Sequence, residues 1–210
     1  MKHLYIVGAG GFGRELYNWL EDLEAAGKEW LLRGFLDDDL SVLDGFSYPH
    51  AVVGSIAEHQ PREDDLYVCG IGSQRIKRKV FEALQFKGAN FITVVHPSVK
   101  MGRNVRLGEG VVLCPRVTLT CDIEIGAMTM VNCHTTVGHD VRIGAWATIS
   151  ANCDLTGHTE IGEAAYFGSG ARVIPGKKVG ARAVVGAGSV VIRDVPEGVS
   201  VFGNPARIFN

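Results

Sequence analysis

The stretch VKMGRNVRLGEGVVLCPRVTLTCDIEIGAMTMVNCHTTVGHDVRIGAWATISANCDLTGHTEIGEAAYFGSGARVIPGKKVGARAVVGAGSVVIRD, Val99 to Asp194, divides into sixteen consecutive hexapeptides without an insertion or deletion. The third position is apolar in all sixteen, from Met101 and Leu107 through Phe167 to Val191. The first position is mostly small or β-branched, as in Val111, Ile123, Thr135, Ala147 and Cys153, and Gly follows the apolar third position in nine repeats. A period of six carries an apolar stripe around a 3.6-residue helix instead of along one face, so no α-helix satisfies it. A strand that turns a corner every six residues does, with positions one and three pointing inward and Gly supplying the backbone for the corner. The spacing predicts a parallel β-helix.

Working outward, 210 residues, 46% of them hydrophobic, with mean hydropathy +0.12, suffice for one or two domains with a real core. A formal charge of −2 and a pI near 6.4 provide no basic field for nucleic acid. No apolar run approaches the ~18 residues of a membrane helix. Met1-Lys2-His3 passes directly into a strand, so no signal peptide is expected and a cytoplasmic location is. The five cysteines are odd in number and lack paired metal-type spacing, as reduced thiols would be; no metal is expected, and Cys153 reads as a small core residue.

Residues 1–92 read as a small α/β domain, a Rossmann-like half-fold. Leu4 to Val7 run into Gly8-Ala9-Gly10-Gly11-Phe12-Gly13, after which Leu16, Trp19, Leu20 and Leu23 keep helical spacing. Gly10, Gly11 and Gly13 at a strand-to-helix turn let a phosphate approach backbone N–H groups and the positive end of the helix. A second strand ends in Asp37-Asp38, placed to recognise a ribose or a base. A third, Leu66 to Cys69, enters Gly70-Ile71-Gly72-Ser73 and a helix with Arg75, Lys77, Arg78 and Lys79 outside and Ile76, Val80, Phe81 and Leu84 buried. A dinucleotide fold needs two mononucleotide-binding halves and this region has room for one. Two phosphate-friendly turns in one half-fold instead suit a nucleotide diphosphate sugar, with Gly72, Ser73 and Lys77 in the second turn. Asn90 to Val95 reads as the last strand of this domain, and His96-Pro97 starts the first coil.

A Gly-rich domain carrying GAGGFGRE, FLDD and GIG, followed by hexapeptide coils with VGHD and a closing GNPAR at 203–207, resembles the NeuD/PglD family of bacterial sugar acyltransferases over the whole chain. That resemblance implies left-handed, three-sided coils of eighteen residues over 93–210. It also implies N-acetyl transfer from acetyl-CoA to a nucleotide-linked 4-amino-4,6-dideoxy sugar in polysaccharide biosynthesis, or O-acetylation of a sialic acid or another sugar hydroxyl. It implies a homotrimer with active sites between subunits, His139 as general base and Asp140 as the carboxylate that orients it. The acetyl-CoA groove then falls on Gly157, Ser169 and Ala187, with Lys177, Lys178 or Arg182 at the phosphates. Thr148 stands where relatives often carry a His that binds the thioester carbonyl.

The chemistry agrees with that assignment. Acetyl transfer to an amine requires removal of a proton as the tetrahedral intermediate collapses, and imidazole titrates in the right range. His139 follows Gly138, so it faces out at a corner. Residues eighteen apart stack ~4.8 Å from each other on successive coils, which puts Asp122, Asp140 and His158 in one column. His158 either neutralises the stacked acids or lies beside bound CoA. His134 stacks over Asn152 and is either a solvated corner or a substrate contact.

Overall fold

The computed structural model describes residues 1–28 and 30–209. The chain divides into two compact units, Met1–Ile92 and Thr93–Asn210.

The first unit comprises β1 (Lys2–Val7), α1 (Gly11–Ala25), β2 (Trp30–Leu36), β3 (Val52–Gly54), β4 (Asp65–Cys69), α2 (Gln74–Phe86) and β5 (Asn90–Phe91). Its strands are parallel, in the order β3-β2-β1-β4-β5. The order reverses between β1 and β4, and the two glycine turns follow those two strands. They therefore share the crevice where ligands bind in open α/β sheets. Leu4, Ile6, Leu16, Leu20, Phe35, Leu36 and Leu84 are fully buried between sheet and helices, each contributing ~1.5–3 kcal/mol.

The second unit is a parallel β-solenoid with three faces. One face has six strands from Lys100–Met101 to Val190–Val191, one has five from Arg106–Leu107 to Lys178–Val179, and one has eight beginning at Val94–Val95. Registers such as Thr118↔Thr136↔Asp154 and Glu124↔Arg142↔Glu160 advance by eighteen residues per coil. The hairpin Ser200–Phe202 with Arg207–Ile208 is antiparallel and closes the last face. Positions one and three fill the interior, and Val111, Leu113, Val137, Val141, Ile149, Leu155, Phe167 and Val185 are fully buried. Inward hydroxyls are paired: Thr129 Oγ1 donates to the Gly144 carbonyl at 2.9 Å and Thr135 Oγ1 to that of Ser150 at 3.0 Å. No described helix is long and apolar enough to cross a membrane.

Two sequence expectations are corrected. Asn90 to Val95 is not one strand: Asn90–Phe91 pairs with β4, whereas Val94–Val95 pairs with Val112–Leu113 of the solenoid. The passage between units thus falls inside one apolar run, which a pattern of hydrophobicity cannot divide. Nor do the repeat glycines make the corners. The left-handed backbone lies two residues later, at position six, where Asn104, Arg116, Asp122, His134, Asp140, Asn152 and His158 all have φ between 57° and 61°. The position-four glycines answer a different need. A Cβ on Gly108, Gly126, Gly144 or Gly162 would sit within 3.0 Å of backbone atoms of the next coil, so Gly lets the coils stack at β-sheet spacing.

Candidate functional site

In the first unit, Gly8, Gly10, Gly11, Phe12, Asp37, Asp38, Ile56, Gly70, Ile71, Gly72, Ile76 and Val80 line a slot of about 470 Å³. Its glycines do two jobs. A Cβ on Gly13 would collide with the Gly8 carbonyl, and one on Gly70 would lie 2.7 Å from Gly13 Cα, so this trio packs backbone against backbone where β1, α1 and β4 meet. Gly10, Gly11 and Gly72 have nothing within 4 Å of such an atom and present open backbone to the slot. Gly10 and Ser73 are the N-caps of α1 and α2, and neither helix start is capped by a side chain, leaving first-turn N–H groups facing the slot's end of the sheet.

The two acids at the end of β2 hold the protein itself. Asp37 Oδ2 accepts the Ala9 N–H at 2.8 Å and Oδ1 that of Asp39 at 3.0 Å, tying the first glycine turn to β2. Asp38 Oδ1 accepts the Ala57 N–H at 2.9 Å and the Ser55 hydroxyl at 2.7 Å. Those bonds, the Ala57 amide first, hold the Asp38 carboxyl below the usual carboxylate range. Asp37 and Asp38 thus shape the slot's rim as much as they face it.

Lys77 departs from expectation. It is 4% exposed, on the buried face of α2 with Phe81 and Leu84, and burial lowers its pKa. Ile76 and Val80, expected inside, face the slot instead. The spacing Lys77, Phe81, Leu84 is that of one helical face, a signal masked by the charge of Lys77. The expected place of Lys77 is therefore corrected: its side chain lies inside the unit and does not line the slot.

In the second unit, Asp140 and His158 occupy equivalent left-handed corners, each with φ 59°, on successive coils between the six- and five-strand faces. His139 Nδ1 lies 2.7 Å from Asp140 Oδ2, and His158 Nδ1 lies 3.8 Å from the same oxygen. The two imidazoles meet edge to face, centroids 4.9 Å apart. With Asp140 ionised, His139 Nδ1–H donates to it and Nε2 presents the lone pair. All three side chains are about half exposed. One coil below, Asn104 Nδ2 donates to Asp122 Oδ1 at 2.7 Å and holds that acid below its usual range. The column deduced from the repeat is present in full.

Gly157 has a use the sequence did not show: a Cβ there would lie 2.6 Å from His139 Cε1 and Nε2. Its missing side chain is the floor on which the imidazole rests. His134, Ser169 and Ala187 lie on another corner, between the eight- and six-strand faces. Thr148 is on the eight-strand face, 2% exposed, its hydroxyl without a hydrogen-bond partner. Lys178 is on the five-strand face, its ammonium 2.9 Å from Glu160, and Lys177 precedes it at an inward position, partly buried. Of the expected acetyl-CoA contacts, one chain therefore brings Gly157 and His158 against His139, while Ser169 and Ala187 lie at the other corner.

Glycine turns at a switch point in an α/β unit, followed by a hexapeptide solenoid with a histidine–carboxylate corner, define a two-unit protein of the hexapeptide-repeat sugar acyltransferase class. Residues 3–84 match the PglD N-terminal domain. PerB from Caulobacter crescentus, solved in complex with CoA and GDP-perosamine, is 33% identical, with a TM-score of 0.87 over 100% of this chain and 98% of that one. The acetyltransferase domain of PglB from Neisseria gonorrhoeae is 28% identical, with a TM-score of 0.90 over the full length of both chains. A UDP-N-acetylbacillosamine N-acetyltransferase of Bacillus subtilis is 32% identical over 120 residues, 54% of this chain and 51% of that protein. The alignment spans about half the length of the curated relatives it matches. The chain belongs to the NeuD/PglD family of bacterial hexapeptide-repeat sugar acyltransferases.

Proposed function

We propose that this chain is an acetyl-CoA-dependent N-acetyltransferase acting on the amino group of a nucleotide-linked 4-amino-4,6-dideoxy sugar in cytoplasmic polysaccharide biosynthesis. The observation that carries this reading is the His139–Asp140 pair, with Nδ1 held by the carboxylate and the imidazole about half exposed. The neutral sugar amine attacks the thioester carbonyl and the amine proton passes to Nε2. Asp140 supports the imidazolium, and collapse of the intermediate breaks the C–S bond, after which the proton leaves with the CoA thiol. Asp140→Asn lowers kcat by less than loss of the imidazole does, because Nε2 remains. His158→Ala changes the pH–rate profile, because His158 Nδ1 lies 3.8 Å from the Asp140 carboxylate that holds His139. An unshifted profile in that variant would remove His158 from the account.

The nucleotide diphosphate belongs to the first unit in this reading. Gly10→Leu places atoms in the open slot and weakens nucleotide-sugar binding while sparing acetyl-CoA binding and thermal stability. Gly13→Ala collides with the Gly8 carbonyl and costs ~1–3 kcal/mol of stability or more. Calorimetry with each ligand and a melting curve separate the two effects, and equal weakening of both ligands by Gly10→Leu would refute the assignment. A homotrimer fits the separation of corners: a second copy's His134, Ser169 and Ala187 edge set beside His139 completes a groove that one chain leaves divided.

A further inference from the structure

We propose that the corner formed by His139, Asp140 and His158 is also a transition-metal site, one that takes Zn²⁺ or Co²⁺ and silences the base while occupied. Among the described residues these are the side chains whose ligand atoms, two imidazole nitrogens and a carboxylate oxygen, all lie within 4.8 Å of one another. The binding half of the proposal needs no assumption about function; the silencing half rests on the proposed role of His139.

Zn–N and Zn–O bonds of ~2.0–2.2 Å set tetrahedral ligand pairs ~3.3 Å apart. The separations from Asp140 Oδ2 to His139 Nδ1 and to His158 Nδ1, 2.7 and 3.8 Å, bracket that value. Small rotations of half-exposed side chains close the difference. The backbone beneath is already fixed: the His158 N–H donates to the His139 carbonyl at 2.9 Å, and Asp140 and His158 repeat one corner conformation. Two imidazoles with one carboxylate select zinc, cobalt, nickel or copper over magnesium or calcium, whose preferred ligands are oxygens. Three protein ligands leave a fourth position for water. Asp122, held ionised by Asn104 one coil below, adds negative charge under the site.

Silencing follows from the ring's electron count. A neutral imidazole has one nitrogen lone pair available, and coordination through either nitrogen uses it. Metal at Nδ1 leaves Nε2 carrying the hydrogen, and metal at Nε2 occupies the lone pair directly. In both cases His139 can accept no proton from an amine.

Chelator-treated full-length protein titrated with Zn²⁺ by calorimetry tests the binding, with Co²⁺ visible absorption as a second readout. The expected result is one saturable site per chain and a Co²⁺ spectrum of low coordination number. His158→Ala and His158→Gln weaken binding by more than the ~10–100-fold that loss of an outer-shell partner costs. Saturating Zn²⁺ abolishes acetyl transfer by the wild type, and EDTA restores it. No saturable binding, or binding unchanged in both His158 variants, would overturn the proposal, as would full transfer activity with the site saturated. A wild type that binds metal as expected but acetylates no nucleotide sugar would instead overturn the functional reading and leave the metal site standing.

Discussion

His139→Ala lowers kcat by the ~10²–10⁴ that a general base supplies, with acetyl-CoA affinity nearly unchanged. The separation is expected because the imidazole is about half exposed while its Nδ1 side is closed by Asp140 at 2.7 Å. The corner's backbone does not depend on it: the His139 carbonyl accepts from His158 whatever side chain the residue carries. Gly157→Ala is a second route to the same loss. It leaves His139 in the sequence but pushes a methyl to 2.6 Å from the ring, so the imidazole must leave its place. A steady-state comparison of the two variants, with CoA binding measured alongside, checks both. Wild-type kcat in His139→Ala would end the assignment of the base.

Gly144→Ala is expected to be among the most destabilising changes in the solenoid, at ~1–3 kcal/mol or more. The added Cβ would stand 2.6 Å from the Glu163 nitrogen, between two coils whose spacing is fixed by their hydrogen bonds. Neither coil can yield without breaking its neighbour's pairing. Ala164→Gly, at a position-six corner with φ 54°, should act in the opposite sense or not at all. It relieves a left-handed conformation that costs an L-residue ~1–2 kcal/mol, against an entropic cost to glycine of ~0.5–1 kcal/mol. Melting curves decide between the two roles of glycine: if Gly144→Ala were harmless and Ala164→Gly destabilising, position four would be the corner after all.

That contrast shows how much of the fold was legible beforehand. The period of six, the inward first and third positions and the stacking of residues eighteen apart all follow from the sequence, because an unbroken repeat fixes register without reference to side-chain detail. The Asp122–Asp140–His158 column was readable for that reason. Which backbone conformation turns the corner was not readable, since left-handed geometry is borne here by Arg116, His134 and Trp146 as well as by Gly170, and composition carries no trace of it. Gly157 was legible as a small residue but not as the floor under His139, a contact between coils. In the first unit, the strand–turn–helix pattern was plain from Leu4 to Leu23. The burial of Lys77 was concealed by its charge, and the engagement of Asp37 and Asp38 with Ala9, Asp39, Ser55 and Ala57 depends on long-range placement of loops.

The most direct test of the account is incubation of the purified protein with acetyl-CoA and a panel of UDP-, GDP- and dTDP-linked 4-amino-4,6-dideoxy sugars, read by mass spectrometry of the sugar product. The account predicts that at least one of them gains a single acetyl group on its amine, that free CoA appears in equal amount, and that His139→Ala abolishes both. Acetylation confined to a sugar hydroxyl, or no transfer to any nucleotide-linked amine by protein that binds acetyl-CoA, would contradict it.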